Sequence, residues 1–463
     1  MRSMEIRSAT RRNLIRNILA LGLLPMPTLS WSDVGDIKFV TGVRNLNNSY
    51  AIVGINNTYE ILFNIEVQSR VHSAAYHPIF AEAVVFSRRP GNFALVIDCN
   101  TGNIKKRLTL SDNNHFYGHG CFSADGSFLY TSENEISSGH GRVGIWNSNN
   151  NYKRVDQYSS GGIGPHEIVT LNEPDSLVIA NGGIRTHPNT SRKKLNLDTM
   201  SSNISIMEKT GKITQTFSLQ DKYRLNSIRH LTVCNNTVAC GFQWQGDHFE
   251  APPLMAILFT KNGKLRLINQ NEGTRRRLGG YIGSISFSKD GNKLCCTSPS
   301  SNIVSVYDFE NGGTEQFNCL DASGVAPFEN GFLVSSGIGK LYSIDDEGIN
   351  LVKDLIKLNF TLCATRGTAE YFIKHKIKCR IINKVSSGSP HIVDVLDSKK
   401  IALVINTGGG NSEHRLNDAI ALRRATLKNK VPYCTNMSTA QVCLQAIKSL
   451  KTKKLEVTAL QDI

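Results

Sequence analysis

Four histidines recur at equivalent places in the chain and form its most evident set of possible metal ligands. The segments RVHSAAYHP, YGHGCFSADG, GPHEIVTLN and IRHLTV place them just before runs of strand-forming residues: His72, His119, His166 and His230. Neutral imidazole suits iron, copper and zinc. No Cys or Met joins the set, which disfavours copper bound by sulfur. A transition-metal site is one interpretation, and histidines that hydrogen-bond neighbouring strands are the structural alternative.

Other polar residues accompany the histidines and suggest a second kind of ligand. These residues are Arg70, Arg88, Arg89, Tyr117, Glu133, Asn134, Glu167, Asn181, Arg185, Arg229, Gln243 and Gln245. Arginines in such a group can clamp an anionic or polar ligand. The motifs GxSxG, HExxH, GxGxxG and the P-loop do not occur in this part of the sequence. We therefore expect a binding protein for a metal or a small polar ligand, and keep an enzyme as the alternative.

A repeated strand–turn–strand pattern must position these residues. Its copies are VRNLNNSYAIVGIN, AYHPIFAEAVVFSRR, CFSADGSFLYTSEN, VTLNEPDSLVIANGG, LTVCNNTVACGFQW, SFSKDGNKLCCTSP and APFENGFLVSSGIG. Repeats of this length with Asp, Asn or Gly turns are typical of a β-propeller. We predict an all-β propeller of seven blades over residues 35–345. Its innermost strands would bring the four histidines and the polar residues to one central funnel.

The composition allows two or three domains and an uneven charge. The 463 residues are 40% hydrophobic and carry a net charge of +15. From residue 351 onward, 19 basic residues against 8 acidic ones give +11, which leaves +4 for everything before. A basic C-terminal domain suits a small anionic partner, although a lysine-rich solvated surface has the same charge. We expect no nucleic-acid partner.

The N-terminal segment 1–34 resembles an export signal. Its residues 10–15 read TRRNLI, similar to a twin-arginine motif, and the apolar stretch 18–25 is too short to span a bilayer. We expect a periplasmic protein if this signal works and a cytoplasmic one otherwise, with no membrane span. The 11 cysteines form no evident disulfide framework. A two-residue turn would pair Cys234 with Thr237 and set Cys240 opposite Leu231, which excludes a Cys234–Cys240 bridge.

Long motifs in the propeller region resemble a family of exported bacterial propellers of unknown function. The motifs are HFYGHGCFSADGSFLYTSEN, GGIGPHE, NGGIRTHP, KLNLDTM, SIRHL and GFQWQGD. The resemblance covers about residues 35–345. It implies a twin-arginine signal, seven blades, a periplasmic home and the company of imelysin-type iron-uptake proteins. It implies no reaction.

The hydrophobic period changes near residue 346. Apolar residues at 349, 352, 355, 356 and 358 form a helical stripe, and short apolar runs then alternate with helical segments. This order predicts a small α/β domain with a mainly parallel sheet over residues 346–463. Ligands of such sheets bind at the carboxyl ends of the strands, where the loops 365–368, 383–389 and 406–410 lie. Hydroxyls and amides at a helix N-terminus suit a phosphate.

This last quarter is similar to the methylglyoxal-synthase-like regulatory domain that closes the large chain of carbamoyl-phosphate synthase. The similarity rests on LNFTLCATRGTAEYF, INKVSSGSPHIVDVL, ALVINTGGG and ALRRATLKNKVPYCTNMSTA. It implies UMP or IMP as effector and carbamoyl-phosphate synthase subunits as partners. The residues it implies for the nucleotide and its phosphate are Thr365, Gly367, Thr368, Lys384, Asn406 and Thr407.

The sequence departs from that family at two places, and both weaken the expected nucleotide site. A carboxylate, Asp345 or Asp346, stands near the position of a phosphate-facing lysine and would repel phosphate. Gly408 replaces a hydroxyl residue. The Asp-Pro loop of methylglyoxal synthase is also missing, and so are the ATP-grasp domains of the synthase, so neither activity is expected. The alternative to a propeller-centred function is a nucleotide-sensing remnant or partner of the synthase.

Overall fold

The structure, a computed structural model, describes residues 2–4, 31, 37–56, 58–171, 175–190, 193–344, 347–406, 413–435 and 437–452. The chain divides into two compact units, one of Met4–Tyr342 and the other of Ser343–Ile463 with Met1–Ser3. Residues 10–15 of the export motif lie outside the described residues, so export stays a prediction. No helix in the described part of the chain is long and apolar enough to cross a membrane.

The larger unit contains the seven predicted sheets, which we number as blades 1 to 7. Blade 1 consists of Ile37–Arg44, Tyr50–Asn56 and Ile61–Val67. Blade 2 consists of Val71–Tyr76, Glu82–Ser87, Ala94–Asp98 and Asn103–Leu108. Blade 3 consists of Asn114–Phe122, Phe128–Glu135, Gly141–Asn147 and Lys153–Ser159. Blade 4 consists of Pro165–Leu171, Ser176–Asn181, Asn203–Glu208 and Ile213–Ser218. Blade 5 consists of Asn226–Cys234, Thr237–Trp244, Met255–Phe259 and Lys264–Leu267.

The last two blades follow a short helix, Glu272–Arg277. Blade 6 consists of Ser284–Phe287, Lys293–Ser298, Ile303–Asp308 and Thr314–Asn318, and blade 7 of Ala322–Phe328, Gly331–Ser336, Lys340–Ile344 and the N-terminal strand Arg2–Met4. Six of these sheets have four strands. In the described residues, blade 1 has three.

The first strand of each blade is the innermost one. In blades 1 to 6 the strands pair antiparallel in chain order, and the first strands of successive blades contact one another. Alternating apolar side chains fill the spaces between blades, as in the cluster of Val238, Phe242 and Ile204 between blades 4 and 5. The ring closes where Val53 and Ile55 of blade 1 pack against Leu333 of blade 7. Polar residues at the inner strand ends consequently meet at the axis.

The cysteines in the described part of the propeller form no disulfide framework, as the sequence indicates. Cys234 pairs with Thr237 and Cys240 lies opposite Leu231 in the observed register. All cysteines of the described chain are free thiols. Burial raises the pKa of the Cys296 thiol to about 12, so this side chain is a neutral apolar group at physiological pH.

The smaller unit alternates helices and short strands. Its elements are Glu347–Lys357, Cys363–Thr365, Arg366–Lys374, Arg380–Ile382, Ile392–Asp397, Val404–Ile405, Glu413–Lys428, Tyr433–Cys434 and Met437–Thr452, where the two- and three-residue segments are strands. Cys363–Thr365 pairs parallel with Arg380–Ile382, and Val404–Ile405 pairs parallel with Tyr433–Cys434. The small α/β class is confirmed.

The buried face of the first helix of this unit differs from the predicted stripe. Val352 and Leu355 are buried as expected, but Ile356 is 41% exposed, and Leu351 is buried instead. A residue one step along a helix is rotated by about 100°, so Leu355 and Ile356 do not share a narrow face. The buried face of this helix therefore contains Leu351, Val352 and Leu355, and it excludes Ile356, which the apolar spacing had included.

Glu133, predicted for the funnel, belongs to the interior of blade 3 instead. Its side chain is fully buried, and its two carboxylate oxygens each accept a hydrogen bond of 2.7 Å from Arg154 on the outermost strand. Thr131 donates a third hydrogen bond to the same carboxylate. A Cβ on Gly144 would lie 1.8 Å from Glu133 Oε1, so glycine is required to make room for this ion pair.

We predict that Glu133→Gln destabilises the propeller by about 2–3 kcal/mol, because the substitution weakens the charge-assisted hydrogen bonds of a fully buried carboxylate and leaves the half-buried Arg154 guanidinium without its counter-charge. Urea unfolding followed by tryptophan fluorescence measures this effect, since Trp146 stacks under Arg154. The matched control is Glu135→Gln on the same strand. Its carboxylate pairs with Arg142 nearer the surface, so this substitution should cost clearly less stability than Glu133→Gln. Equal losses in both variants would contradict the prediction.

Candidate metal centre

The structure brings all four predicted histidines together at the propeller axis. Ring centroids are 4.6 Å apart for His119 and His166, 4.7 Å for His72 and His119, and 4.8 Å for His166 and His230. Three of these side chains are almost completely buried, with exposed fractions of 4% for His119, 8% for His166 and 7% for His230. The four imidazoles therefore form one cluster, which we call the imidazole cluster.

β-Bulges aim these side chains. The pairing register of the inner strand shifts at His72 in blade 2, between Phe116 and Gly120 in blade 3, between Pro165 and Ile168 in blade 4, and beside His230 in blade 5. A bulge bends its strand and redirects the side chains at the extra residue. The sequence analysis set the histidines just before the inner strands, whereas the structure places them within these strands.

Hydrogen bonds between blades fix the bulged backbones. Ser73 Oγ of blade 2 donates to the carbonyl oxygen of Gly118 in blade 3 at 2.7 Å, and Ser132 Oγ of blade 3 donates to that of His166 in blade 4 at 3.3 Å. Gly118 has a φ of +105°, and a Cβ on it would lie 2.5 Å from the His72 ring. Glycine is therefore needed here both for the backbone conformation and for the close approach of His72.

One carboxylate orients two of the imidazoles. Glu167 Oε2 lies 3.0 Å from His230 Nδ1 and also accepts a hydrogen bond of 3.0 Å from the backbone N–H of Leu231. Glu167 Oε1 lies 3.6 Å from His119 Nδ1. Burial opposes ionisation of Glu167, but His119 and His230 outweigh it and lower the pKa of this carboxyl below its ordinary value of 4.5. The side chain is therefore an acceptor only, and His230 must donate through Nδ1.

This orientation leaves imidazole nitrogens with lone pairs and no partner. Within the described residues, His119 Nε2, His230 Nε2 and His166 Nδ1 are buried and accept no hydrogen bond. A buried polar atom without a partner costs free energy, so such atoms in a cluster suggest a missing ligand. A carboxylate behind the other ring nitrogen is the usual support of a metal-binding histidine.

The cluster also keeps three of its imidazoles, those of His72, His166 and His230, uncharged. Burial, together with the neighbouring basic side chains, lowers the pKa of His72 and of His166 well below the ordinary value of 6.5. Burial lowers the pKa of His230 as well, although Glu167 partly offsets this effect. Neutral imidazole is the form that binds a metal.

The donor spacing is wider than in a bound metal site. One ligand nitrogen from each of His72, His119 and His166 lies within 4.8 Å of the other two. Two nitrogens bound to one tetrahedral zinc ion are about 3.4 Å apart, given a zinc–nitrogen distance of about 2.1 Å. Small side-chain rotations toward the centre would therefore complete a three-histidine site, with His230 as a possible fourth ligand.

Several predicted funnel residues lie elsewhere. Asn134 bonds the backbone of its own strand, and Asn181 bonds Ser160 and Asn203 within blade 4, so both amides support loops. Arg185 is exposed, and its side chain lies against Gly139. Arg88 is near enough to the cluster to lower the pKa of His72.

Arg89 and Arg229 form a second polar group that also contains a residue the sequence analysis missed. Arg89 Nη1 donates hydrogen bonds of 3.1 Å to both Tyr117 Oη and Thr186 Oγ1. Arg229 Nη2 donates to Gln243 Oε1 at 2.9 Å. Thr186 follows the second strand of blade 4, as Arg89 follows that of blade 2. This common placement is the signal that could have identified it.

The smaller unit places its predicted residues at strand ends. Thr365 is the last residue of its strand, and the parallel neighbouring strand ends at Ile382, two residues before Lys384. Thr365 and Lys384 therefore lie at the same edge of the sheet. Thr365 is also the N-cap residue of Arg366–Lys374, and its side chain makes no capping bond. Thr368, Gly367 and Lys384 are exposed. Asn406 instead donates to Tyr433 Oη at 2.9 Å, while Thr407, Asp345, Asp346 and Gly408 lie outside the described residues.

These features define a seven-bladed β-propeller followed by a small α/β module. The chain belongs to the family described as "Protein of unknown function (DUF1513)", whose model matches residues 65–359. A model for the MGS-like domain matches residues 347–435.

The chain is similar over about a quarter of its length to carbamoyl phosphate synthase large chains. The chain is 42% identical over 115 residues to the carbamoyl phosphate synthase large chain, C-terminal section, of Methanopyrus kandleri, which is 25% of this chain and 21% of that protein. It is 43% identical over 111 residues to the carbamoyl phosphate synthase large chain of Rhizobium meliloti, which is 24% of this chain and 9% of that protein. The chain thus spans about a fifth of these relatives or less.

A solved structure supports the propeller fold alone. Kuenenia stuttgartiensis hydrazine synthase aligns with a TM-score of 0.52 over 70% of this chain and 99% of its own, at 12% identity. An identity this low carries the architecture and no activity.

We predict that the metal-free protein loses stability as the pH falls below about 6.5. The unfolded histidines take up protons there, whereas the folded imidazoles, with lowered pKa values, do not, and each such proton costs about 1.4 kcal/mol per pH unit. Urea unfolding at a series of pH values, after treatment with a chelator, measures the slope.

The variant His166→Gln should reduce that slope, because one buried imidazole no longer resists protonation. His248→Gln is the control, since the side chain of His248 is 82% exposed. A slope that stays the same in His166→Gln would contradict the lowered pKa of His166.

Proposed function

We propose that the protein is a non-catalytic binding protein that holds one divalent transition-metal ion in the imidazole cluster. The observation that carries this proposal is the set of three buried imidazole nitrogens without a partner: His119 Nε2, His166 Nδ1 and His230 Nε2. An ion such as Zn²⁺, Cu²⁺ or Fe²⁺ is the ligand that satisfies several neutral imidazoles at once.

The surroundings of the cluster support the same conclusion. Glu167 stands behind His119 and His230, and its charge strengthens both as ligands. Its single negative charge partly offsets that of a divalent ion in a buried place. The alternative role, in which the histidines only join blades, leaves the unpartnered nitrogens without a function. Hydroxyl groups such as that of Ser132 already join the blades.

We predict that the purified full chain binds about one equivalent of Zn²⁺ or Co²⁺ and that His119→Ala and His166→Ala each abolish this tight binding. Glu167→Gln should keep the stoichiometry but weaken the affinity by about 10- to 100-fold, because it removes only the support of the ligands. Metal content by elemental analysis and titration calorimetry measure both effects, and the Co²⁺ absorption spectrum reports nitrogen coordination.

His248→Ala is the matched control, because it removes an exposed histidine of the same propeller. Tryptophan fluorescence verifies that each variant is folded. Wild-type affinity in His119→Ala and His166→Ala, or no metal in the wild-type protein, would refute the proposal.

As a second function, we propose that the C-terminal module binds the phosphate of a nucleotide such as UMP or IMP. The specific observation is the N-terminus of Arg366–Lys374, where Thr365 makes no side-chain capping bond and the space beside Gly367 is open. Backbone N–H groups at such a terminus attract an anion. The exposed Lys384 at the same sheet edge adds positive charge, and the similarity to carbamoyl phosphate synthase supports the choice of ligand.

We predict millimolar or tighter binding of UMP or IMP to the full chain, measured by calorimetry. Thr365→Ala combined with Thr368→Ala should weaken it about tenfold or more, because two hydroxyl contacts to phosphate are lost. Thr361→Ala, which changes an exposed threonine of the same module, is the control. The absence of heat at millimolar nucleotide would end this second proposal.

A further inference from the structure

A group of hydrogen-bond donors lies close to the imidazole cluster. Tyr117 and Thr186 are 3% and 6% exposed, and their hydroxyl oxygens are 2.9 Å apart. Arg89 donates to both oxygens from one nitrogen, Nη1. The two hydroxyls share one hydrogen bond, so one of their O–H groups remains to donate elsewhere. Arg89 also lies over the Tyr117 ring, and its other N–H groups have no acceptor among the described residues.

Arg229 supplies a second guanidinium to this group. It is the extra residue of the bulge beside His230, and Nη2 donates to Gln243. Its Nε is buried and has no acceptor among the described residues. Burial lowers the pKa of Arg229, and the positive charge of Arg89 lowers it further, so the two guanidinium groups are near one another.

These two cations lack a counter-ion in the described part of the chain. No carboxylate there lies within ion-pair distance of Arg89 or Arg229, and Glu167 is taken up by His119 and His230. By contrast, the half-buried Arg154 of blade 3 donates to both carboxylate oxygens of the buried Glu133. Arg89 and Arg229 are half-buried. The buried Nε of Arg229 has no acceptor, which is costly, so a small anion that accepts a hydrogen bond from it would stabilise this group.

We propose that Arg89 and Arg229, with the hydroxyls of Tyr117 and Thr186, bind a small oxyanion next to the metal of the imidazole cluster. The inference rests on the proposed metal site and adds the chemical class of its co-ligand. Guanidinium groups bind pairs of oxygen atoms, which favours a carboxylate, a carbonate or a tetrahedral oxyanion over a halide.

The charge on the metal gives a reason for the two sites to be coupled. The imidazoles are neutral, so a divalent ion brings two positive charges to a place where Glu167 supplies one negative charge. The guanidinium groups of Arg229 and Arg88 already disfavour further positive charge on His166 and His72. An oxyanion between the guanidinium groups and the metal offsets these charges, and each ligand therefore strengthens the binding of the other.

The test titrates acetate, bicarbonate and sulfate separately into the zinc-loaded full chain by calorimetry. The zinc content is measured in every sample. We expect saturable binding of at least one of these anions, with an affinity that falls about tenfold or more in Arg229→Gln and in Arg89→Gln, because each loses a charged hydrogen-bond donor. Thr186→Val removes only a hydroxyl and should weaken anion binding severalfold. This milder variant tests the same site even if the arginine variants fail to fold.

Arg266→Gln is the control, because Arg266 is an exposed residue on the outermost strand of blade 5. Zinc bound at one equivalent without saturable anion binding, or anion affinities that are the same in wild type and Arg229→Gln, would overturn this inference and leave the metal site standing. A wild-type protein without zinc would refute the metal site itself, and the inference with it.

Discussion

The contact between Glu167 and the Nδ1 atoms of His119 and His230 determines the chemistry of the propeller axis. The ionised carboxylate can only accept, and it therefore fixes which ring nitrogen of His230 carries a proton and which keeps a lone pair. The same carboxylate accepts from the backbone of Leu231, so it also joins blade 4 to blade 5. The orientation of the His230 ring and the contact between blades 4 and 5 consequently both depend on the side chain of Glu167.

Electrostatics divide the propeller into places where charges are matched and places where they are not. In blade 3, Glu133 and Arg154 neutralise each other inside the sheet, and glycine makes the space for them. Around the axis, Arg89 and Arg229 stand beside neutral imidazoles and a single carboxylate. This contrast is the physical basis for the proposed ligands at the axis and for the structural role of Glu133.

The repeat in the sequence was sufficient to predict both the seven blades and the convergence of the histidines, because equivalent positions of a propeller meet at its axis. It was not sufficient for residues near the ends of second strands. Glu133 points to Arg154 and Arg185 points outward, and these directions depend on local register and bulges that no periodic pattern encodes. Thr186 was missed because a single threonine in a loop has no pattern of its own. In the smaller module, the helix Ile392–Asp397 was also missed, since its six residues are too short for a helical period.

The bulges have an evolutionary consequence for this architecture. Each histidine lies at or beside a residue that interrupts the strand ladder, while the apolar contacts that hold the blades together lie between the sheets. Exchange of an imidazole for another polar side chain at such a point leaves the apolar contacts between the sheets in place. Substitutions at these positions can therefore alter the polar axis of the propeller while the frame that folds it is inherited unchanged.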